Sequence, residues 1–299
     1  MRDSSGDAPA RLRKLIHRDG CTAIPGVFSP AVALLAEKAG FKGLYFSGAA
    51  FSGLLGLPDL GVTTLTEVAD AVSQITSRVD LPMIVDVDTG FGEAVNMGRT
   101  VVVMERANAA AVQVEDQVMP KRCGHLDGKQ LVSEEEMSKR LIAAKEASTR
   151  GLVVVARTDA ASVEGFDAAV ERARLYARAG ADVIFPEALR NRDEFREFAK
   201  KVETPLLANM TEFGKTEYIP VREFEKLGYK LVIFPVTTFR VMMKSVQEAL
   251  GELAARGTQK GLLKKMMDRR EFYDLIGYSD YEAADGRTVR KAKKLLDTN

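Results

Sequence analysis

Lys121-Arg122-Cys123-Gly124-His125 puts a thiol, an imidazole and two cations within five positions, around a glycine that lets backbone approach a ligand closely. One of the chain's two cysteines and one of its two histidines lie here. A thiol beside cations ionises more easily, so Lys121, Arg122 and His125 predict a lowered pKa for Cys123 and a role as acid, base or nucleophile. The bland alternative is a loop thiol that packs inward, the commonest fate of a free cysteine. Zinc is disfavoured, because Cys-x-His offers two ligands and no second cluster completes a tetrahedron. The other cysteine, Cys21, forms no disulfide framework with Cys123, which points to a reducing cytoplasm. His17 sits in a helix-like N-terminal region and reads as structural or surface.

A second constellation is Asp86-Val87-Asp88. Acids at i and i+2 of a strand point to one side, and two such carboxylates repel unless a proton or cation intervenes. Hard oxygen ligands favour Mg2+, with Mn2+ as the substitute. Gly90-Phe91-Gly92 follows at once, and Glu115 ends the next apolar run. Arg157 ends the run Leu152–Ala156, where a guanidinium needs a carboxylate: a structural one such as Glu187, or one from a substrate. Arg240 and Arg269 cannot be told from surface charges by position.

The elements that must position these groups alternate along the chain. Apolar, β-branched runs at Thr22–Val27, Gly43–Ser47, Met83–Asp88, Ala110–Glu115, Leu152–Thr158, Asp182–Glu187, Pro205–Thr211 and Lys230–Pro235 read as strands. Helical periods fall between them at about 29–39, 66–79, 95–107, 133–149, 164–179, 191–201 and 220–227, with an eighth at about 239–255. Ser133 to Glu136 predicts a capping box. The runs are continuously apolar, as parallel strands covered on both faces are. Eight such units in about 240 residues predict a (β/α)8 TIM-type barrel, one domain over 1–299, with 258–299 a helical extension built of Thr258–Arg270 and Tyr281–Leu296. No GxGxxG follows a strand, which weakens a dinucleotide-binding reading. Seven of the eight runs end in a polar or ionisable residue, at the barrel mouth where such enzymes keep their chemistry.

With 46% hydrophobic and 28% charged residues, the 299-residue chain has ordinary globular composition. A formal net charge of +1 argues for neither nucleic acid nor a membrane surface as partner. Residues 1–7 lack the apolar core of a secretory signal, and no run of 18 apolar residues suggests a membrane span.

Val85–Gly92, Gln113–Gln117 and Lys121–His125 together resemble the isocitrate lyase/phosphoenolpyruvate mutase superfamily. Ala156–Ala160, Phe185–Ala188, Leu207–Gly214 and Gly257–Lys260 are similar to its shorter lyases, which cleave 2-methylisocitrate. The resemblance runs from about residue 20 to 282. Cys123-Gly124-His125 separates lyases from the mutases and decarboxylases, and intact site positions speak against a non-catalytic scaffold.

The resemblance implies a Mg2+-dependent retro-Claisen cleavage to pyruvate and succinate in the methylcitrate cycle of propionate catabolism. A related 2-alkylmalate such as 2,3-dimethylmalate is the alternative substrate, and isocitrate a side substrate. It also implies a homotetramer whose last barrel helix is swapped between subunits. Carried over, Asp86 and Asp88 hold the metal with Glu115 nearby. Ser47, Gly48 and Ala49 line the pyruvate half; Ala49 replaces a glycine found in some relatives. Cys123, Gly124, Arg157, Glu187, Asn209, Met210, Thr211, Arg240 and Arg269 contact substrate. Cys123 protonates the departing carbanion. The base is open among Tyr45, Asp59 and Lys121, with Glu115 and His125 as further catalytic candidates. The loop from about Gln117 to Gln130 is expected to close over substrate.

Overall fold

The structure, a computed structural model, describes residues 7–297. The N-terminal stretch 1–6, most of the segment judged to lack a secretory signal, lies outside the described residues.

Eight parallel strands, β1 (Thr22–Val27), β2 (Leu44–Phe46), β3 (Met83–Asp86), β4 (Ala111–Glu115), β5 (Val153–Thr158), β6 (Val183–Pro186), β7 (Leu207–Asn209) and β8 (Leu231–Phe234), pair in chain order, with β8 beside β1. The remaining seam between β6 and β7 is closed by a bridge of Ile184 to Leu206 and by the Ile184 N–H donating to Pro205 O at 2.9 Å. The predicted barrel is therefore present, each strand within a few residues of its expected bounds. Helices also fall where the 3.6-residue period placed them, for example Leu65–Thr76, Ala94–Arg106 and Phe166–Arg178.

Alternating strand residues fill the interior, among them Ile24, Ile84, Val153, Val155, Leu231 and Ile233. The N-terminal helix Ala8–His17 adds Leu12 and Ile16 to this same cluster. Both are fully buried, each worth about 1.5–3 kcal/mol of apolar transfer. His17 is exposed in the last turn of that helix, as its surface reading requires.

Local details depart from expectation in four places. Short helices Gly48–Leu54 and Ala160–Val163 directly follow β2 and β5; they are too brief and too rich in small residues to show a period. The box at Ser133 forms only in half: Ser133 Oγ accepts from the Glu136 N–H at 3.1 Å, while the Glu136 carboxylate lies 3.6 Å from Arg140. Complete boxes occur at Thr64/Glu67 and Asp268/Glu271. The second of these starts a helix at Arg269–Ile276, so Thr258–Arg270 is not the predicted helix but a loop around the 3₁₀ segment Lys260–Lys265. The last helix begins earlier than expected, at Tyr278, after Gly277 in a left-handed conformation.

The chain divides into two compact units, one running to Val241 and one from Met242 onward. Helix Thr237–Arg256 starts in the first and supplies the beginning of the second. The eight strands and the mouth residues described next all belong to the first.

Candidate active site

Parallel register decides which strand ends become neighbours. Glu115 on β4 pairs directly with Arg157 on β5, and Asp86 on β3 with Gln113 on β4. On one side of the mouth β2 turns immediately into helix Gly48–Leu54. Ser47 caps it, its Oγ accepting from the Ala50 N–H at 3.3 Å, and the Gly48 N–H donates to Asp86 Oδ2 at 3.3 Å. A Cβ on Gly48 would lie 3.1 Å from Asp86 Oδ2 and 3.5 Å from Asp88 Oδ1. Both carboxylates thus converge on a residue with no side chain.

They do not converge by strand alternation. β3 ends at Asp86, and Asp88 sits at φ 50°, a left-handed conformation uncommon outside glycine. The Asp88 N–H then donates to Asp86 Oδ1 at 3.1 Å. Burial, and then the Asp88 charge, push the Asp86 pKa up to about 6. Lys121 answers part of this excess: its ammonium lies 2.8 Å from Asp88 Oδ1 and donates to Asp59. Burial alone would lower the Lys121 pKa, but Asp88, Glu115 and Asp59 hold it well above the usual lysine value.

The opposite side is centred on Arg157. Its Nε and Nη2 donate to Asp159 at 2.9 and 3.1 Å, Nη1 lies 3.1 Å from Glu115, and Nε lies 3.6 Å from Glu187. The guanidinium also stands over the Phe185 ring, 5.4 Å from its centroid. Burial would raise Glu187, but Arg157 and His125 beside it hold it down to about 2. Asn209 Nδ2 donates to Glu187 at 3.2 Å. Glu115 is fully buried and its oxygens accept no hydrogen bond; burial raises its pKa well above the usual value.

The cysteine loop lies on this second side. Its base is zipped by an antiparallel bridge of Gln117 to Leu131, and the Gln117 side-chain amide exchanges two 2.9 Å hydrogen bonds with the Arg122 backbone. A Cβ at Gly124 would fall 2.4 Å from Glu187 Cγ and 2.6 Å from Arg157 Nη2, so only glycine lets the backbone rest there. His125 Nε2 lies 3.0 Å from Glu187 Oε1, while Nδ1 accepts from the Lys215 N–H at 3.0 Å. Both ring nitrogens are engaged, which makes His125 a strut between two loops.

The expected thiolate is not what this environment produces. Burial raises the Cys123 pKa; the His125 backbone N–H and Arg157 offset only part of that. The neighbouring cations are committed elsewhere, Lys121 to Asp59 and Asp88, Arg122 to the Asp127 carbonyl at 3.2 Å. Cys123 is held as a thiol. Two base candidates are likewise held protonated: Lys121 as above, and Tyr45, whose buried phenol donates to Gln113 Oε1 at 2.5 Å and is raised well above its usual pKa.

Other predicted positions are mixed. Met210 is buried, its sulfur accepting from the Ile219 N–H at 3.4 Å. Thr211 and Ala49 are half-buried. Arg240 stacks 5.3 Å over Phe213 and lies 3.7 Å from Glu212. Arg269 belongs to the second unit, at the start of its helix. Three members of the site were not among the residues singled out from the sequence. Asp159 clamps Arg157, Asp116 supports Asp159, and Lys129 is buried between Asp159 and the loop. For Asp159 the i, i+2 spacing from Arg157 was a usable clue.

Among the described residues no three His, Cys, Asp or Glu side chains stand together as a metal cage. Mg2+ needs no such cage: it is commonly held by one or two carboxylates, with substrate and water completing the octahedron. Asp86 and Asp88, converging on Gly48 with a charge excess, fit that requirement.

Comparison with known proteins places the chain in a family. The phosphoenolpyruvate phosphomutase family model matches residues 12–254. A 2-methylisocitrate lyase of Aeropyrum pernix is 60% identical over 285 residues, 95% of this chain and 92% of the relative. The crystal structure of a 2,3-dimethylmalate lyase, a phosphoenolpyruvate mutase/isocitrate lyase superfamily member, superposes with a TM-score of 0.88 at 33% identity, covering 94% and 95% of the two chains. A phosphonopyruvate hydrolase in complex with oxalate and Mg2+ superposes with a TM-score of 0.86 at 28% identity, covering 94% and 99%. The chain belongs to the phosphoenolpyruvate mutase/isocitrate lyase superfamily, among its lyases.

Proposed function

We propose that the chain cleaves 2-methylisocitrate to pyruvate and succinate, the reaction implied by its 60% identical relative. The observation that carries this reading is the buried mouth in which a charge-excess carboxylate pair, Asp86 and Asp88, faces the Arg157 cluster and a protonated Cys123. Asp86 and Asp88 would hold Mg2+, which when bound stabilises the developing 2-keto acid oxygens as a Lewis acid.

The remaining chemistry is proton transfer, and this chain's own residues fit it. A base removes the hydroxyl proton; the C–O electron pair forms the pyruvate carbonyl as the C–C bond breaks. The released electron pair stays on the succinate fragment and takes the Cys123 proton, leaving a thiolate that is reprotonated before the next turnover. A thiol held above its usual pKa stays loaded at neutral pH, as an acid must. With Tyr45 and Lys121 held protonated, the base is left to the carboxylates Asp59 and Glu115, the first paired with Lys121 and the second raised by burial and beside Arg157. Arg157, Gly124, Asn209 and Thr211 line the side on which substrate carboxylates would be bound, and Ser47, Gly48 and Ala49 the pyruvate half. Arg240 and Arg269 remain proposed carboxylate ligands.

We further propose a homo-oligomer, a tetramer with an exchanged helix. Helix Thr237–Arg256 buries none of its residues and exposes Val241, Met243, Val246, Leu250 and Leu253. Such a stripe on a helix marks an association surface. Both cysteines are free, which supports a reducing, cytoplasmic setting. No helix among the described residues is long and apolar enough to cross a membrane.

The test is pyruvate release from 2-methylisocitrate, isocitrate and 2,3-dimethylmalate, each with Mg2+ and with EDTA. Preferred, Mg2+-dependent release from 2-methylisocitrate supports the proposal. Preference for 2,3-dimethylmalate, or turnover indifferent to EDTA, overturns it.

A further inference from the structure

Lys129 follows the cysteine segment in a surface loop, yet its side chain is only 2% exposed. Lysine is almost never buried this deeply unless its charge is paired. Its ammonium donates to the Gly124 carbonyl and to Asp159 Oδ1, the latter at 2.7 Å. Asp159 is itself fixed. Both its oxygens hold Arg157, and its N–H donates to Asp116 Oδ1 at 2.9 Å. Asp116 also accepts from the hydroxyls of Thr158 at 2.7 Å and Tyr176 at 2.9 Å. A continuous set of buried polar contacts therefore runs from helix Phe166–Arg178 to the carbonyl one residue past Cys123.

The outer side of the same loop is held differently. Lys215 pairs with Asp127 at 2.6 Å, but those side chains are 44% and 94% exposed, and solvent screens such a pair. The anchorage on the inner side is desolvated, and a charge-assisted hydrogen bond there is roughly twice as strong as a neutral one.

We infer that Lys129 is a positioning residue, a latch that ties the Gly124 carbonyl to Asp159 and so fixes the Cys123 thiol over the barrel mouth. The effect on turnover rests on the lyase reading above; the latch itself does not. Without the ammonium, the Gly124 carbonyl loses its donor and the loop loses its buried tie to Asp159, leaving the His125–Glu187 contact to hold it on this side. Cys123 then samples solvent instead of one position.

The experiment uses the full-length chain with Cys21→Ser, so that alkylation by iodoacetamide reports Cys123 alone, followed by mass spectrometry. Lys129→Met should alkylate at least tenfold faster and show a kcat at least tenfold lower, with Lys129→Arg restoring part of both. Unchanged alkylation in a folded Lys129→Met overturns the latch, as does Lys129→Arg behaving no better than Lys129→Met. Should Lys129→Met fail to fold, hydrogen exchange on the unaltered chain decides. Amides 121–126 protected well beyond those of loop 211–218 support the latch, and equal exchange overturns it. If the unaltered chain turns over none of the substrates, the lyase reading fails while the alkylation result still decides the latch.

Discussion

The two sides of the barrel mouth use the same residue class to opposite ends. On the β2–β3 side, burial and Asp88 raise Asp86 to about 6. On the β5–β6 side, Arg157 and His125 hold Glu187 down to about 2 although burial pushes the other way. Both carboxylates are buried. What differs is the local charge count. Asp59, Asp86 and Asp88 share one ammonium, Lys121, whereas Asp159 and Glu187, beside a Glu115 raised by burial, are matched by Arg157 and Lys129, with His125 Nε2 next to Glu187. The first side is short of positive charge and suits a cation. The second is self-neutralised and holds positions.

The loop that rests on the positioned side should carry the largest kinetic effect. Cys123→Ser keeps the size of the side chain but replaces the acid with a much weaker one. It is expected to lower kcat by about 10²–10⁴, while substrate affinity from isothermal titration changes little. Near-normal kcat would remove Cys123 from the acid role.

Stability should separate the two sides next. Arg157→Met leaves three buried carboxylates without their common partner and should cost about 3–5 kcal/mol of unfolding free energy, measured by urea denaturation. Asp86→Asn removes a repelled charge, so in metal-free buffer it should leave stability unchanged or raise it. Equal losses in both variants would erase the distinction.

A titration sharpens it further. Because the folded pKa of Glu187 is about 2 against an ordinary 4.5, its stabilising contribution is present above about pH 4.5 and is lost as pH falls toward 2. Thermal midpoints between pH 2 and 5 should therefore fall less steeply in Glu187→Gln than in the unaltered chain. The smallest change is expected from Lys215→Ala, which breaks only an exposed pair worth about 0–1 kcal/mol.

Much of this was legible in the sequence because the signals were local. Continuous apolar runs gave the strands, glycines closed the helices, and strand ends gave Asp86, Glu115, Arg157 and Glu187 a shared level. What was not legible depends on distant partners. The ionisation of Cys123 was misjudged from its neighbours in the chain, because Lys121 and Arg122 turn to Asp59, Asp88 and the Asp127 carbonyl, and burial then dominates. Lys129 resembles any loop lysine until Asp159 and Gly124 O are seen beside it. The meeting of Asp86 and Asp88 was expected for the wrong reason, since a left-handed Asp88 and not strand alternation brings them together.

Mn2+ binding followed by electron paramagnetic resonance tests the central asymmetry most directly, with no substrate needed. One Mn2+ per chain is expected, displaced by Mg2+, with affinity at least a hundredfold weaker in Asp86→Asn and nearly unchanged in Glu187→Gln. Equal weakening in the two variants, or no binding to the unaltered chain, would contradict it.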